Sequence, residues 1–263
     1  MAKTVGIVSL KGGVGKTSIV SSLGDALSNF GKKVLIVDAN FSAPNLGMHF
    51  NIIDPEITLH HVLSRRANIK DSIHRVKNMD VIPSSMFQKI PISPMMLKDK
   101  IGSIKRKYDF ILLDSAPSVE EDTLSVINAS DSLIFVTTPD YPTISSTLKS
   151  VKIAKEKGIT IDGIIINKVL NKDFEISPES IQETTGVPVL AVIPYNIHFI
   201  RSVSEFVPYT TLKPKSEGSA EIKKLAATLS GEKYKTFSWK NIFFLTPRIE
   251  EINRDMFYER VFQ

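Results

Sequence analysis

The string Lys11-Gly12-Gly13-Val14-Gly15-Lys16-Thr17 stands between two different hydrophobic periods. Ahead of it runs Val5-Gly6-Ile7-Val8-Ser9, an apolar stretch of strand length. Behind it, Ile19, Val20, Leu23, Ala26, Leu27 and Phe30 recur at helical spacing. A strand that feeds a glycine-rich loop into a helix N-terminus is a phosphate site, because glycines let backbone N–H groups turn inward with no Cβ in the way. Lys16 adds a point charge for β- and γ-phosphates, and Thr17 offers a hydroxyl to Mg²⁺. The candidate nucleotide-binding set is therefore Lys11, Gly12, Gly13, Val14, Gly15, Lys16, Thr17 and Ser18.

Further along, the same reading finds strands that end in chemistry. Lys33-Val34-Leu35-Ile36-Val37 closes on Asp38 and opens a loop through Asn40 to Leu46. Consecutive apolar residues of this kind suit a strand buried on both faces of a parallel sheet, and ligands sit beyond the carboxyl ends of such strands. Tyr108-Asp109-Phe110-Ile111-Leu112-Leu113 ends in Asp114, a second carboxylate placed to hold Mg²⁺ directly or through water. Asp80 to Pro83, Ser132 to Thr137, Gly163 to Val169 and Val189 to Ile193 read as further strands, with helical segments between them. The predicted fold is one α/β domain over residues 1–230, a mostly parallel twisted sheet with helices on both faces, followed by a tail over 231–263.

The loop resembles the deviant Walker A sequence, KGGxGK[ST], of the MinD/ParA ATPases. Leu10 stands where the ordinary pattern has its first glycine, and Lys11 is the extra lysine. The resemblance covers about residues 3–230. It implies ATP and Mg²⁺ as cofactors, a homodimer closed on two ATP molecules, and Lys11 reaching across to the partner's nucleotide as a catalytic residue beside Lys16. It implies that Thr17, Asp38 and Asp114 serve the metal. Asn167 of Asn167-Lys168 takes the place of the family's adenine reader, and Pro194 opens the loop that covers the base. Relatives carry D-x-D in the first switch, and Asn40 replaces the second aspartate here. An asparagine orients a water but cannot accept its proton, so slow ATP hydrolysis is expected. Ser115-Ala116-Pro117 resembles the second switch.

Composition agrees with a cytosolic protein. No run approaches the roughly 20 apolar residues that span a bilayer, and no secretory signal is evident. The chain has 263 residues and no cysteine, which excludes disulfides and cysteine-held clusters and argues against a metallocofactor carrier of this fold. Its formal charge of +5 permits attraction to DNA or an anionic membrane. Lys149, Lys152 and Lys155 share one face of a predicted helix, either a solvated face or a track for a phosphate backbone. His60 and His61 are adjacent on a helical stretch and cannot chelate together. Ser84 to Pro94 reads as an exposed loop.

The tail interleaves Lys233, Tyr234, Lys235, Phe237, Trp239 and Lys240, then Ile242 to Leu245. After Pro247, a second segment places Ile249, Ile252, Met256 and Val261 on one helical face. MinD relatives end in an amphipathic helix that binds membrane, and residues 237–262 are the candidate contact. A partner or dimer contact and packing onto the domain are the alternatives. The resemblance thus implies an ATPase that cycles on a membrane or DNA surface to position a division site, chromosome or cargo, with an activating or cargo partner. Its place is cytoplasmic, or peripheral on the inner face of the cell membrane. The competing reading is a nucleotide-gated binding module with little or no hydrolysis.

Overall fold

The computed structural model describes residues 2–87, 90–118, 121–232, 234 and 247–262. Among them are the strands β1 (Lys3–Val8), β2 (Val34–Ala39), β3 (His74–Val76), β4 (Met79–Ile82), β5 (Phe110–Ser115), β6 (Ser132–Thr137), β7 (Thr160–Val169) and β8 (Val189–Pro194). They form one sheet in the order β3-β4-β2-β5-β1-β6-β7-β8, parallel throughout except for the β3–β4 pair at one edge. The short antiparallel β3 was not legible beforehand: His74-Arg75-Val76 holds one apolar residue and shows no alternation.

The central strands are buried on both faces, as their continuous apolar runs predicted. Val5, Ile7, Ile36, Leu112 and Ile134 face one core, and Leu35, Val37, Ile111, Leu113 and Phe135 the other. The helices in chain order are α1 (Lys16–Asn29), α2 (Leu59–Leu63), α3 (Leu97–Ile104), α4 (Glu121–Ala129), α5 (Tyr141–Glu156), α6 (Pro178–Thr185), α7 (His198–Ser204), α8 (Tyr209–Leu212), α9 (Glu217–Ser230) and α10 (Ile249–Phe262). Apolar side chains of α1 and α9 fill the first core, those of α2, α3, α4 and α5 the second. β1 and β5 are central neighbours, so Walker A and the strand ending in Asp114 meet at one end of the sheet.

One expectation changes. Ser84 and Ser85 are buried rather than exposed: Ser84 Oγ donates to the Asp38 carbonyl at 2.7 Å, and the Ser85 N–H donates to His60 Nδ1 at 3.0 Å. His60 is thereby a buried structural acceptor, while His61 closes a capping box with Thr58 at the start of α2. The loop's exposed part starts at Met86 and Phe87.

The tail helix α10 lies on the domain with its polar face inward. Arg254 Nη1 donates to the Leu190 carbonyl at 2.8 Å and pairs with Glu221 at 2.9 Å, while Asn253 Nδ2 donates to the Val189 carbonyl at 2.7 Å. β8 is an edge strand, and these side chains satisfy carbonyls that no further strand reaches. Phe257 enters the core, and Ile252 and Met256 point outward at 45% and 63% exposure. Lys233 and the basic-aromatic stretch Lys235 to Thr246, including Phe237, Trp239 and Lys240, lie outside the described residues.

Candidate nucleotide-binding site

The first turn of α1 has no side-chain cap and no acidic residue. Its N–H groups thus lack the side-chain oxygens that close most helix starts, and they face a cavity of about 220 Å³ lined by Lys11 to Ser18 with Asn40, Asn45, His49 and Pro117. Gly13 and Gly15 hold φ of +80° and +88°. At Gly15 a Cβ would also stand 2.5 Å from Asn167 Nδ2, so both conformation and space require glycine there.

The end of β7 fixes the outside of the loop. Asn167 Nδ2 donates to the Val14 carbonyl at 2.7 Å, and Lys168 Nζ to the Gly13 carbonyl at 2.5 Å. Two loop carbonyls are engaged from behind, which leaves the amide side for an anion. The Asn167 side chain thus serves the phosphate loop through its nitrogen and retains its oxygen as an acceptor. It also lines a second cavity of about 330 Å³, with Gly15, Ser18, Tyr195, Phe199 and Ile200 among its walls. The two cavities share Gly15 and Ser18 as walls, and the second is largely apolar. Pro194 ends β8, and the residues after it, not Pro194 itself, line the second cavity.

Lys16 is buried. Its ammonium meets Asp114 Oδ1 at 2.8 Å and the Ser115 carbonyl. Thr17 Oγ1 lies 2.6 Å from Asp114 Oδ2 and 3.0 Å from Asn45 Oδ1. This cluster of oxygens, one of them carboxylate, suits a hard cation such as Mg²⁺. Neither here nor elsewhere among the described residues do three or more His, Asp or Glu side chains gather in a group that could hold a metal.

Asp38 pairs in register with Asp114 across β2 and β5 and is fully buried. Its Oδ1 accepts the Asn40 N–H, and its Oδ2 accepts the N–H groups of Asn45 and Leu46 at 3.1 and 3.0 Å. Burial, with the Asp114 charge beside it, pushes Asp38 up to about 7, against the pull of those N–H groups and of Lys16. Its carboxylate thus holds the switch loop. Asn40 is also turned to the loop: Nδ2 donates to the Ala43 carbonyl at 2.5 Å, and Oδ1 accepts the Ala43 N–H at 3.3 Å.

Lys11 lines the first cavity. Its ammonium donates to Asp140 Oδ1 at 3.1 Å and Thr143 Oγ1 at 2.8 Å, at the N-terminus of α5, where Asp140 is the cap. Burial alone would raise Asp140, but hydrogen bonds from Thr138, Thr143 and Lys11 outweigh it and hold the carboxyl near 2. The contact is open, with both side chains more than two-fifths exposed. Lys149, Lys152 and Lys155 are exposed on α5.

Two wall residues had no sequence signal. His49 lies on a short 3₁₀ turn, is buried, and has its protonation disfavoured chiefly by that burial. Asn45 follows Pro44 in the switch loop, and its side chain gains meaning only from the nearness of Thr17.

Residues 2–161 match the family described as an AAA domain. An uncharacterized ATP-binding protein of Methanocaldococcus jannaschii is 33% identical over 237 residues, 89% of this chain and 90% of the relative. Among solved structures, the Pyrococcus furiosus cell division ATPase MinD superposes with a TM-score of 0.84 at 33% identity, covering 88% of this chain and 99% of that one. The Pyrococcus horikoshii septum site-determining protein MinD, complexed with Mg-ADP, gives 0.83 at 34% identity, covering 87% and 96%. With the uncapped helix start, the extra loop lysine and the cluster of oxygens at Thr17 and Asp114 already on view, these likenesses settle the family: the chain belongs to the MinD/ParA group of P-loop ATPases, whose cofactors are ATP and Mg²⁺.

Proposed function

We propose that the protein is an ATPase that dimerises on Mg-ATP, hydrolyses it slowly, and uses the cycle to bind and leave a membrane or DNA surface during spatial positioning. The observation that carries this reading is the place of Lys11. Lys11 lines the phosphate cavity while its ammonium is held on an exposed contact with Asp140, so little free energy opposes its leaving for a phosphate. Facing copies would exchange these lysines, each completing the other's anion site. Thr17 and Asp114 would hold the metal, with Asp38 shaping the loop beside it, and Lys16 would leave Asp114 for the phosphates. Mg²⁺ would neutralise charge on the transferring phosphoryl group. Asn167 Oδ1 would accept from the adenine amino group, favouring ATP over GTP.

Asn40 supports slow turnover. Both polar atoms of its amide serve Ala43, and it has no basic oxygen for the attacking water. The P. furiosus relative is a cell division ATPase and the P. horikoshii relative is septum site-determining, and a role in placing a division site comes to this chain from them. No described helix is long and apolar enough to cross a membrane. A surface role therefore falls to peripheral elements: the aromatic-basic stretch with Trp239, the outward Ile252 and Met256 of α10, or the α5 lysines. A partner that stimulates hydrolysis or serves as cargo belongs to the same cycle.

Binding to anionic vesicles and to DNA, measured side by side with ADP and with ATP, tests the cycle. Retention on one surface with ATP alone supports it, and equal binding with both nucleotides refutes it. Single-turnover assay with labelled ATP separates slow hydrolysis from a module that only senses occupancy.

A further inference from the structure

Residues 65–109 hold eleven Lys or Arg against four Asp and no Glu, a formal charge of +7, although the whole chain carries only +5. The fold gathers this charge instead of spreading it. Lys105, Arg106 and Lys107 form a 3₁₀ turn before β5, and Lys77 lies in the turn between β3 and β4. β4 and β5 both run parallel to β2, and β5 to β1, so these turns stand at the end of the sheet away from the phosphate loop. Arg65 and Arg66 follow α2, and Lys70 belongs to the 3₁₀ turn Ile69–Ser72. α2, that turn and α3 pack on one another over the same core.

Arg65, Arg66, Lys70, Lys77, Arg106 and Lys107 are exposed, and none of them forms an ion pair with a described residue. Two of the four acids are already engaged. Asp80 accepts from Arg75 at 3.0 Å and from the Tyr108 hydroxyl at 2.8 Å, and Asp109 Oδ2 accepts the Lys33 N–H at 2.8 Å. Cations left without partners on one surface create a field that draws a polyanion. Residues 65–82 and 97–109 expose no large apolar side chain. A protein interface has an apolar centre poor in lysine, and a membrane-surface element has an apolar face to bury, so the patch fits neither. β3 and β5 are three places apart in the sheet, about 15 Å, and a duplex of that length presents about nine phosphates on its two strands.

We propose that this basic end of the sheet is a nucleic-acid surface that holds the phosphate backbone of double-stranded DNA without reading its sequence. The proposal rests on the surface-binding reading above and narrows it: the anionic surface is DNA, and the contact lies away from both the α5 lysines and the tail. Phosphate contacts position a protein on the duplex and carry no sequence information. One patch per chain is a weak site, and two patches in a pair closed on ATP would hold through effective concentration.

The test measures binding of the full chain to a labelled 30-base-pair duplex between about 50 and 200 mM salt, with Mg-ADP. Log affinity should fall linearly with log salt. The variant carrying Arg65→Gln, Arg66→Gln, Arg106→Gln and Lys107→Gln should lose about 0.9 of that slope for each cation that meets a phosphate. If two of the four do, its affinity at 50 mM salt should fall roughly two hundredfold. Its melting temperature should match wild type, because these side chains are exposed and unpaired. A variant with Lys149→Gln, Lys152→Gln and Lys155→Gln should keep the wild-type slope. Wild-type affinity and slope in the four-site variant overturn the proposal, as does a slope lost only in the α5 variant, or a four-site loss seen on phosphatidylserine vesicles and not on DNA. Repeating the titration with Mg-ATP separates the two readings. Equal affinities with ADP and ATP refute the cycle and leave the patch, whereas an unchanged ATP-dependent affinity in the four-site variant refutes the patch and leaves the cycle.

Discussion

Replacing Asn40 by Asp probes the switch loop at its most revealing point. Asn40 is 4% exposed, and its nitrogen donates to the Ala43 carbonyl at 2.5 Å. Aspartate keeps the oxygen that accepts the Ala43 N–H but turns the other contact into carboxylate against carbonyl. The lost hydrogen bond and the buried acceptor left without a donor together cost about 2–3 kcal/mol. Asp38 and Asp114 nearby add like charge in the metal-free protein. For a chain of this size the melting temperature moves about 2–4 °C per kcal/mol, so nucleotide-free Asn40→Asp should melt roughly 4–12 °C lower than wild type. Saturating Mg-ADP should recover part of that loss, because the cation offsets the added charge. Single-turnover hydrolysis should nevertheless rise, since a carboxylate can accept the water's proton. Scanning calorimetry with and without Mg-ADP, beside a labelled-ATP assay, checks both parts. An unchanged melting temperature would show that the Asn40 amide does not lock the loop, and turnover at or below wild type would refute its part in slow hydrolysis.

Asp38 gives a pH dependence with a defined sign. Its folded value near 7 lies above that of the unfolded chain, so the native state holds the proton more tightly, and this contribution to stability is lost as pH rises from about 4 to about 7. Asp38→Asn should therefore gain stability relative to wild type as pH rises from about 4 to about 7 in metal-free thermal unfolding, and a constant difference would contradict the assignment. Arg254→Ala removes a buried partner of Glu221, to which Lys224 remains at 2.8 Å, so the cost should fall at the lower end of the range for broken buried pairs, about 3 kcal/mol. Met256→Ala on the outer face should change stability by under about 0.5 kcal/mol. Equal denaturation midpoints for Arg254→Ala and Met256→Ala would show that α10 is not anchored through its polar face.

The phosphate loop was legible because its chemistry is local. Glycines that must turn, a lysine and a hydroxyl lie within a few residues of one strand and one helix. Strands buried on both faces announce themselves by unbroken apolar runs, and the mostly parallel sheet follows from their alternation with helices. What stayed hidden depends on distance along the chain. Asn167 and Lys168 hold the loop from about 150 residues away, as does Asp140 for Lys11 from about 130, and no spacing rule reaches so far. His49 and Asn45 carry no motif and matter only because the switch loop folds back on α1. The tail was legible only as a pattern. Helical spacing put Ile249, Ile252, Met256 and Val261 on one face without saying what meets it, and the open carbonyls of β8, which draw Asn253 and Arg254 inward and leave Ile252 and Met256 facing solvent, lie far away along the chain.

Sedimentation of the wild-type chain and of Lys11→Ala, each with Mg-ADP and with Mg-ATP under conditions of slow turnover, bears most directly on the ATP-closed pair. Wild type should be monomeric with ADP and dimeric with ATP. Lys11→Ala should still take up nucleotide through Lys16 and the helix start, yet remain monomeric with both. A Lys11→Ala dimer with ATP, or a wild-type protein whose mass is indifferent to the γ-phosphate, would contradict it.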